Sequence, residues 1–132
     1  MNVLVTGGLG FIGSKVVLQL LKRNIFVIIA DVDIEKNRSK LENNINKIGN
    51  DKNLIKYEKL DITNYQNVEK IFQNYKLDSV INLAYGIGAI CEENPLLASK
   101  INIVGTKTIF EMIVKYKIRR LEFTSSETGY GT

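Results

Sequence analysis

The chain has 132 residues, enough for one domain with a real core, and its 45% hydrophobic and 24% charged content is ordinary for a globular protein. There is no histidine and one cysteine, Cys91, which excludes a Ser-His-Asp triad, a Cys-His pair, an internal disulfide and the commonest zinc ligands, so no metal site is expected. The net charge of +4 comes from scattered rather than blocked lysines and arginines, which argues for a solvated surface and against a nucleic-acid stripe.

No apolar run approaches the ~20 residues of a membrane span. Met1 leads directly into an apolar strand, so no signal peptide is expected, and a cytoplasmic location suits the single cysteine. The strand, Val3-Leu4-Val5, runs into a turn carrying Gly7, Gly10 and Gly13, and an apolar helical pattern from Phe11 to Arg23 comes next. Strand, glycine turn and helix in that order form the setting in which a dinucleotide is held. Gly7 turns the chain sharply, Gly10 lets backbone approach a pyrophosphate, and Gly13 lets the helix pack on the strands. The phosphates would lie at the positive end of the helix.

Asn24 stops this helix, and Ile25 to Ala30 is a continuous apolar strand with Asp31 at its carboxyl end. A carboxylate there accepts from the ribose hydroxyls of adenosine and repels a 2′-phosphate, so NAD is expected over NADP. Asp31 and Asp33 also precede a helical stretch, Ile34 to Lys47, and helix capping is the competing role. A third strand is read over Asn53 to Leu60, a helix over Tyr65 to Tyr75 and a fourth strand over Asp78 to Ala84. Asp61 or Thr63 is placed to cap the helix. Gly86 and Gly88 make the next loop flexible, and Cys91 within it, beside Glu92 and Glu93, is expected to be an inert filler. Pro95 opens a long helix, Leu96 to Tyr116. Asn102 and Gly105 inside it cost helix stability, which points to a local purpose or a tolerated kink. Arg120 to Thr124 is the fifth strand. Alternating strands and helices predict an α/β doubly wound parallel sheet of the Rossmann type in order 3-2-1-4-5.

Thr6-Gly7-Gly8-Leu9-Gly10-Phe11-Ile12-Gly13 resembles the Thr-Gly-x-x-Gly-Phe-Ile-Gly signature of the extended short-chain dehydrogenases/reductases, which include the NAD-dependent nucleotide-sugar epimerases and dehydratases. The resemblance covers nearly the whole chain. It implies cofactor contacts from Gly7, Gly10, Phe11, Ile12, Gly13, Asp31 and Val32, and adenine contacts from Asp61 and Ile62. Asn82-Leu83-Ala84 resembles the family's His-Leu-Ala-Ala segment beneath the cofactor; Tyr85 departs from the small residue usual next, so the cofactor wall differs there. Asn102 to Thr106 resembles the Asn-x-x-Gly-Thr motif, whose Asn reaches toward the cofactor. The tail from Ser125 to Gly131 resembles Ser-Ser-x-x-x-Tyr-Gly and implies Ser126 as the catalytic serine, with Ser125 as its neighbour.

The family's Tyr-x-x-x-Lys pair occurs nowhere in the 132 residues. The chain therefore reads as a single NAD-binding domain, 1–132, cut before the active-site helix and without the substrate-binding lobe. Three roles stay open: the cofactor portion of a nucleotide-sugar epimerase or dehydratase, a non-catalytic NAD-binding module, and one half of a split enzyme. A nucleotide sugar would be bound only by the completed protein. A homodimer through the helix 96–116 is expected, with Ile109, Ile113 and the fourth and fifth strands lacking cover.

Overall fold

The computed structural model describes residues 1–49 and 52–125. Five strands form one parallel sheet: β1 (Asn2–Thr6), β2 (Phe26–Asp31), β3 (Ile55–Lys59), β4 (Ser79–Asn82) and β5 (Arg120–Phe123). Their order is β3-β2-β1-β4-β5, as expected. In register, Leu4 lies opposite Ile28 and Val80, and Thr6 opposite Ala30 and Asn82. The carboxyl ends of the strands therefore form one edge, where the residues singled out in the sequence collect.

Side chains alternate across this sheet with a period of two, and both faces bury them. Val3, Val5, Val27 and Ile29 point to the layer of α1 (Phe11–Lys22) and α2 (Ile34–Lys47), meeting Val17, Leu21, Leu41 and Ile45. Leu4, Ile28 and Val80 point to the opposite layer. There they meet Val68, Ile71 and Phe72 of α3 (Tyr65–Asn74) and Ile109 and Met112 of α6 (Thr106–Lys115). Asn24 at φ 56° ends α1, as its place in the sequence predicts.

Some local expectations are corrected. β3 is shorter than read, beginning at Ile55 after a 3-10 turn, Lys52–Leu54. The loop carrying Cys91 is a short helix, α4 (Ala89–Glu93), entered through Gly88 at φ +67°. The long helix covers 95–115 but is not uniform. It comprises α5 (Pro95–Ser99), a π-helical segment (Lys100–Gly105) and α6.

Helix capping is also distributed differently. Asp33, not Asp31, caps α2 by accepting from the Lys36 amide at 3.2 Å. Asn64, not Asp61 or Thr63, caps α3 by accepting from the Asn67 amide at 3.0 Å. Asn94 caps α5, ahead of Pro95. Such caps contribute about 1 kcal/mol each. The N-cap of α1 is Gly10, which has no side chain to accept, so the first amides of α1 keep their capacity for an external anion.

Candidate functional site: a groove across the carboxyl ends of the strands

The glycine turn is closed by its own backbone. Gly7 sits at φ +64°, and the Gly10 amide donates to the Gly7 carbonyl at 3.0 Å. A Cβ on Gly13 would lie 2.1 Å from that carbonyl oxygen, so only glycine lets α1 start this close to the turn. The close approach is to the turn itself rather than to the strands.

Asp31 leaves β2 beside this turn. One carboxylate oxygen accepts from the Leu9 amide at 3.1 Å and the other from the Val32 amide at 2.9 Å. It is thus a wall residue of the turn. Asp61 accepts from both the amide and the hydroxyl of Thr63, at 2.9 and 2.8 Å, and its own amide donates to Asn67 at 2.9 Å. Ile62 beside it is buried against Gly105, where a Cβ would come within 2.6 Å of the Ile62 side chain. This close packing is the local purpose of a glycine inside the helix.

β4 leaves the sheet through a buried polar relay. The Ala84 amide donates to the Thr6 hydroxyl at 3.3 Å, and that hydroxyl donates to Asn82 Oδ1. Buried polar atoms need such partners. Beyond it, Asn102 meets the backbone of Gly86 twice: Oδ1 accepts from the Gly86 amide at 2.8 Å, and Nδ2 donates to the Gly86 carbonyl at 2.9 Å. The exposed Cys91 thiol donates to the same carbonyl at 3.2 Å. Gly86 serves close packing rather than flexibility, since its Cβ would lie 3.1 Å from Ala98 Cα.

Two adjoining clefts run along this edge and share Gly7, Gly10, Leu83 and Tyr85. One, of about 480 Å³, is lined by Asp31, Val32, Asp61, Ile62 and Ala84. The other, of about 550 Å³, is lined by Phe11, Ile12, Gly13, Thr124 and Ser125. Every expected cofactor residue lines one or both except Asn102, which lies behind the wall. Ser126 lies outside the described residues. Thr6, Leu97, Ile101 and Thr124 line the groove without having been singled out. A polar Thr6 at the end of a buried strand was the available signal; Leu97 and Ile101 carry only an i,i+4 apolar spacing, which equally describes a core face. Among the described residues no acidic or cysteine cluster is arranged for a metal, and no helix is long and apolar enough to cross a membrane.

A groove of this kind, with a glycine turn in the middle, an uncapped helix start and a carboxylate at the end of the second strand, defines a dinucleotide-binding α/β fold. The sequence matches the NAD dependent epimerase/dehydratase family over residues 3–132, and the chain belongs to that family. The residues lining the groove fit the family's cofactor, NAD. UDP-glucose 4-epimerase 2 of Arabidopsis thaliana is 39% identical over 132 residues, covering 98% of this chain and 37% of the relative. The structure of UDP-glucose 4-epimerase from Bifidobacterium longum in complex with NAD+ and UDP is similar with a TM-score of 0.85 and 29% identity, covering 100% of this chain and 39% of that one. The Stenotrophomonas maltophila enzyme with bound NAD and formylated UDP-arabinopyranose gives a TM-score of 0.83 at 28% identity, covering 99% of this chain and 38% of that one. The chain thus spans well under half the length of the relatives it matches.

Proposed function

We propose that this chain binds NAD and forms the cofactor portion of a nucleotide-sugar 4-epimerase. The observation that carries the proposal is the pair of clefts meeting at Gly7 and Gly10, with Asp31 and Asp61 along one and Thr124 and Ser125 in the other. Two linked cavities joined at an anion-binding turn suit two nucleoside-like ends joined by a pyrophosphate. In this assignment the first amides of α1 hold the pyrophosphate, Asp31 accepts from the adenosine ribose, and Asp61 and Ile62 meet the adenine. Leu83, Ala84 and Tyr85 form the wall beneath. Bound NAD supplies reversible hydride acceptance. Ser126, by its match to the family tail, would bond the reacting sugar oxygen, with Ser125 beside it lining the cleft.

The 132 residues hold no Tyr-x-x-x-Lys pair to supply the base. General-base assistance is typically worth ~10²-fold or more, so this single domain binds NAD without turning over sugar nucleotide unless completed by further chain. Incubation with NAD and UDP-glucose or UDP-galactose, monitored by NMR, tests this: no epimer is expected, and turnover near that of a full-length relative would refute it.

The protein is assigned to the cytoplasm, and its association to a two-fold dimer. The dimer rests on an apolar stripe with Ile103, Phe110 and Val114 on the helix and Phe123 on β5, all exposed. The stripe differs from the one expected, because Ile109 is fully buried and β4 is covered. Light scattering over a dilution series should show a dimer; a monomer at every concentration would refute it.

A further inference from the structure

We propose that Asn102 is a positioning residue, which shapes the shared wall of the two clefts by clamping Gly86. The proposal rests on the reading of the groove as an NAD site. β4 ends at Asn82, and among the described residues no strand pairs with the chain beyond it. Yet Leu83 and Tyr85 belong to both clefts, and Ala84 and Ile87 to one each. This segment is anchored at its start by the relay from Ala84 to Thr6. At its far end, both backbone groups of Gly86 are bonded to the Asn102 side chain. The amide of Asn102 thus replaces the ladder partner that a strand would have had.

The π-helical segment Lys100–Gly105 explains how Asn102 reaches that place. A π turn is wider than an α turn and rotates the helix after it relative to the helix before it. Before and within the segment, Ala98 and Asn102 meet Gly86. At its end, Gly105 receives Ile62, and beyond it Ile109 and Met112 enter the core. Ile101, in the same segment, lines the cleft directly. One irregular turn therefore backs three parts of a single wall, and Asn102 supplies the pair of hydrogen bonds that couples it to the loop.

The test pairs two measurements on Asn102→Ala and on Asn102→Leu, which keeps the side-chain volume while deleting both hydrogen bonds. Hydrogen exchange of the Gly86 amide, measured by NMR without cofactor, should accelerate at least about tenfold in either variant. The NAD dissociation constant, by calorimetry, should rise at least about tenfold. Val68→Ala, a core change on α3 away from the groove, should lower the melting temperature while leaving both quantities near the wild-type values, which separates positioning from general loss of stability. Unchanged Gly86 exchange in both variants would overturn the clamp. Accelerated exchange with unchanged NAD affinity would overturn the positioning role. Absence of NAD binding by the wild-type chain would overturn the function reading and the positioning role with it, while the exchange data would still decide whether the clamp exists.

Discussion

The two edges of the sheet are finished differently. At the β3 edge, Arg38 of α2 lies over the Tyr57 ring at 4.5 Å from its centroid, and Tyr75 at the end of α3 donates to Glu58. At the β5 edge, the side chains are mostly exposed, and Phe123 is 54% exposed with the Phe110 ring, 5.3 Å away, as its aromatic neighbour. The central strands β1 and β2 between them are buried along almost their whole length. Parallel strands are normally covered on both faces, so the cleft lined by Asp31 and Asp61 stands beside the better-covered part of the sheet, whereas the side toward β5 presents apolar surface.

The sharpest way to break this contrast is to delete comparable apolar mass on each side. Ile28→Ala, in the core beside β3, should destabilise by about 4 kcal/mol through lost burial and a residual cavity. Phe123→Ser should cost about 0.5 kcal/mol. Urea unfolding of both measures the difference, and equal losses would show that the β5 edge is as well packed as the other. Gly13→Ala is next in size. Its Cβ has 2.1 Å to a backbone oxygen that cannot give way like a side chain, so it should cost about 3 kcal/mol and displace the start of α1. The same denaturation experiment reads it, and a change below about 0.5 kcal/mol would contradict the tight turn.

A smaller effect is expected at Asp31. Asp31→Asn keeps the size and an oxygen acceptor but removes the charge, so NAD binding should weaken about tenfold, the loss of one charge-assisted hydrogen bond, and the gap to NADP should narrow. Calorimetric titration of the variant with both cofactors checks this; a widened gap would count against the ribose role. The smallest effect concerns the β3 edge alone. Burial and the Glu58 carboxylate raise the Tyr75 pKa well above its ordinary value of 10.0. The folded chain thus keeps a proton that the unfolded chain loses. The contribution is fully present below pH 10 and is lost as pH rises above it, by no more than about 1 kcal/mol per pH unit after discounting for partial exposure. Tyr75→Phe should flatten this alkaline loss in urea unfolding from pH 9 to 11, and identical slopes would remove the bond from the edge's support.

Much of this layout was legible in the sequence because it obeys short-range rules. Continuous apolar runs gave the two inner strands β1 and β2, and the α2 range, Ile34–Lys47, is the one read from its stripe. Gly7 was legible because a sharp turn favours a residue without a Cβ; the need for glycine at position 13 was legible too, but its close neighbour is the turn and not the strands. The capping residues were harder, since Asp31, Asp33, Asp61, Thr63 and Asn64 are all chemically able to cap and only three-dimensional position chooses among them. Asn102 and Gly105 marked a local purpose or a kink, but the π-helical winding itself was not legible, because Ile101, Val104 and Ile109 keep an apolar spacing that an uninterrupted α-helix also satisfies. The exposure of β5 was legible, but not which residues of the neighbouring helix share it. Ile109 and Phe110 are adjacent and both apolar, and which of them faces the core depends on how the preceding turn is wound.

The most direct measurement is a calorimetric titration of the wild-type chain with NAD and, separately, with NADP. A groove built from the glycine turn, the uncapped start of α1 and the Asp31 carboxylate predicts one NAD site per chain, with NADP bound at least about tenfold more weakly because its 2′-phosphate meets that charge. Equal or tighter binding of NADP, or no binding of either, would contradict it.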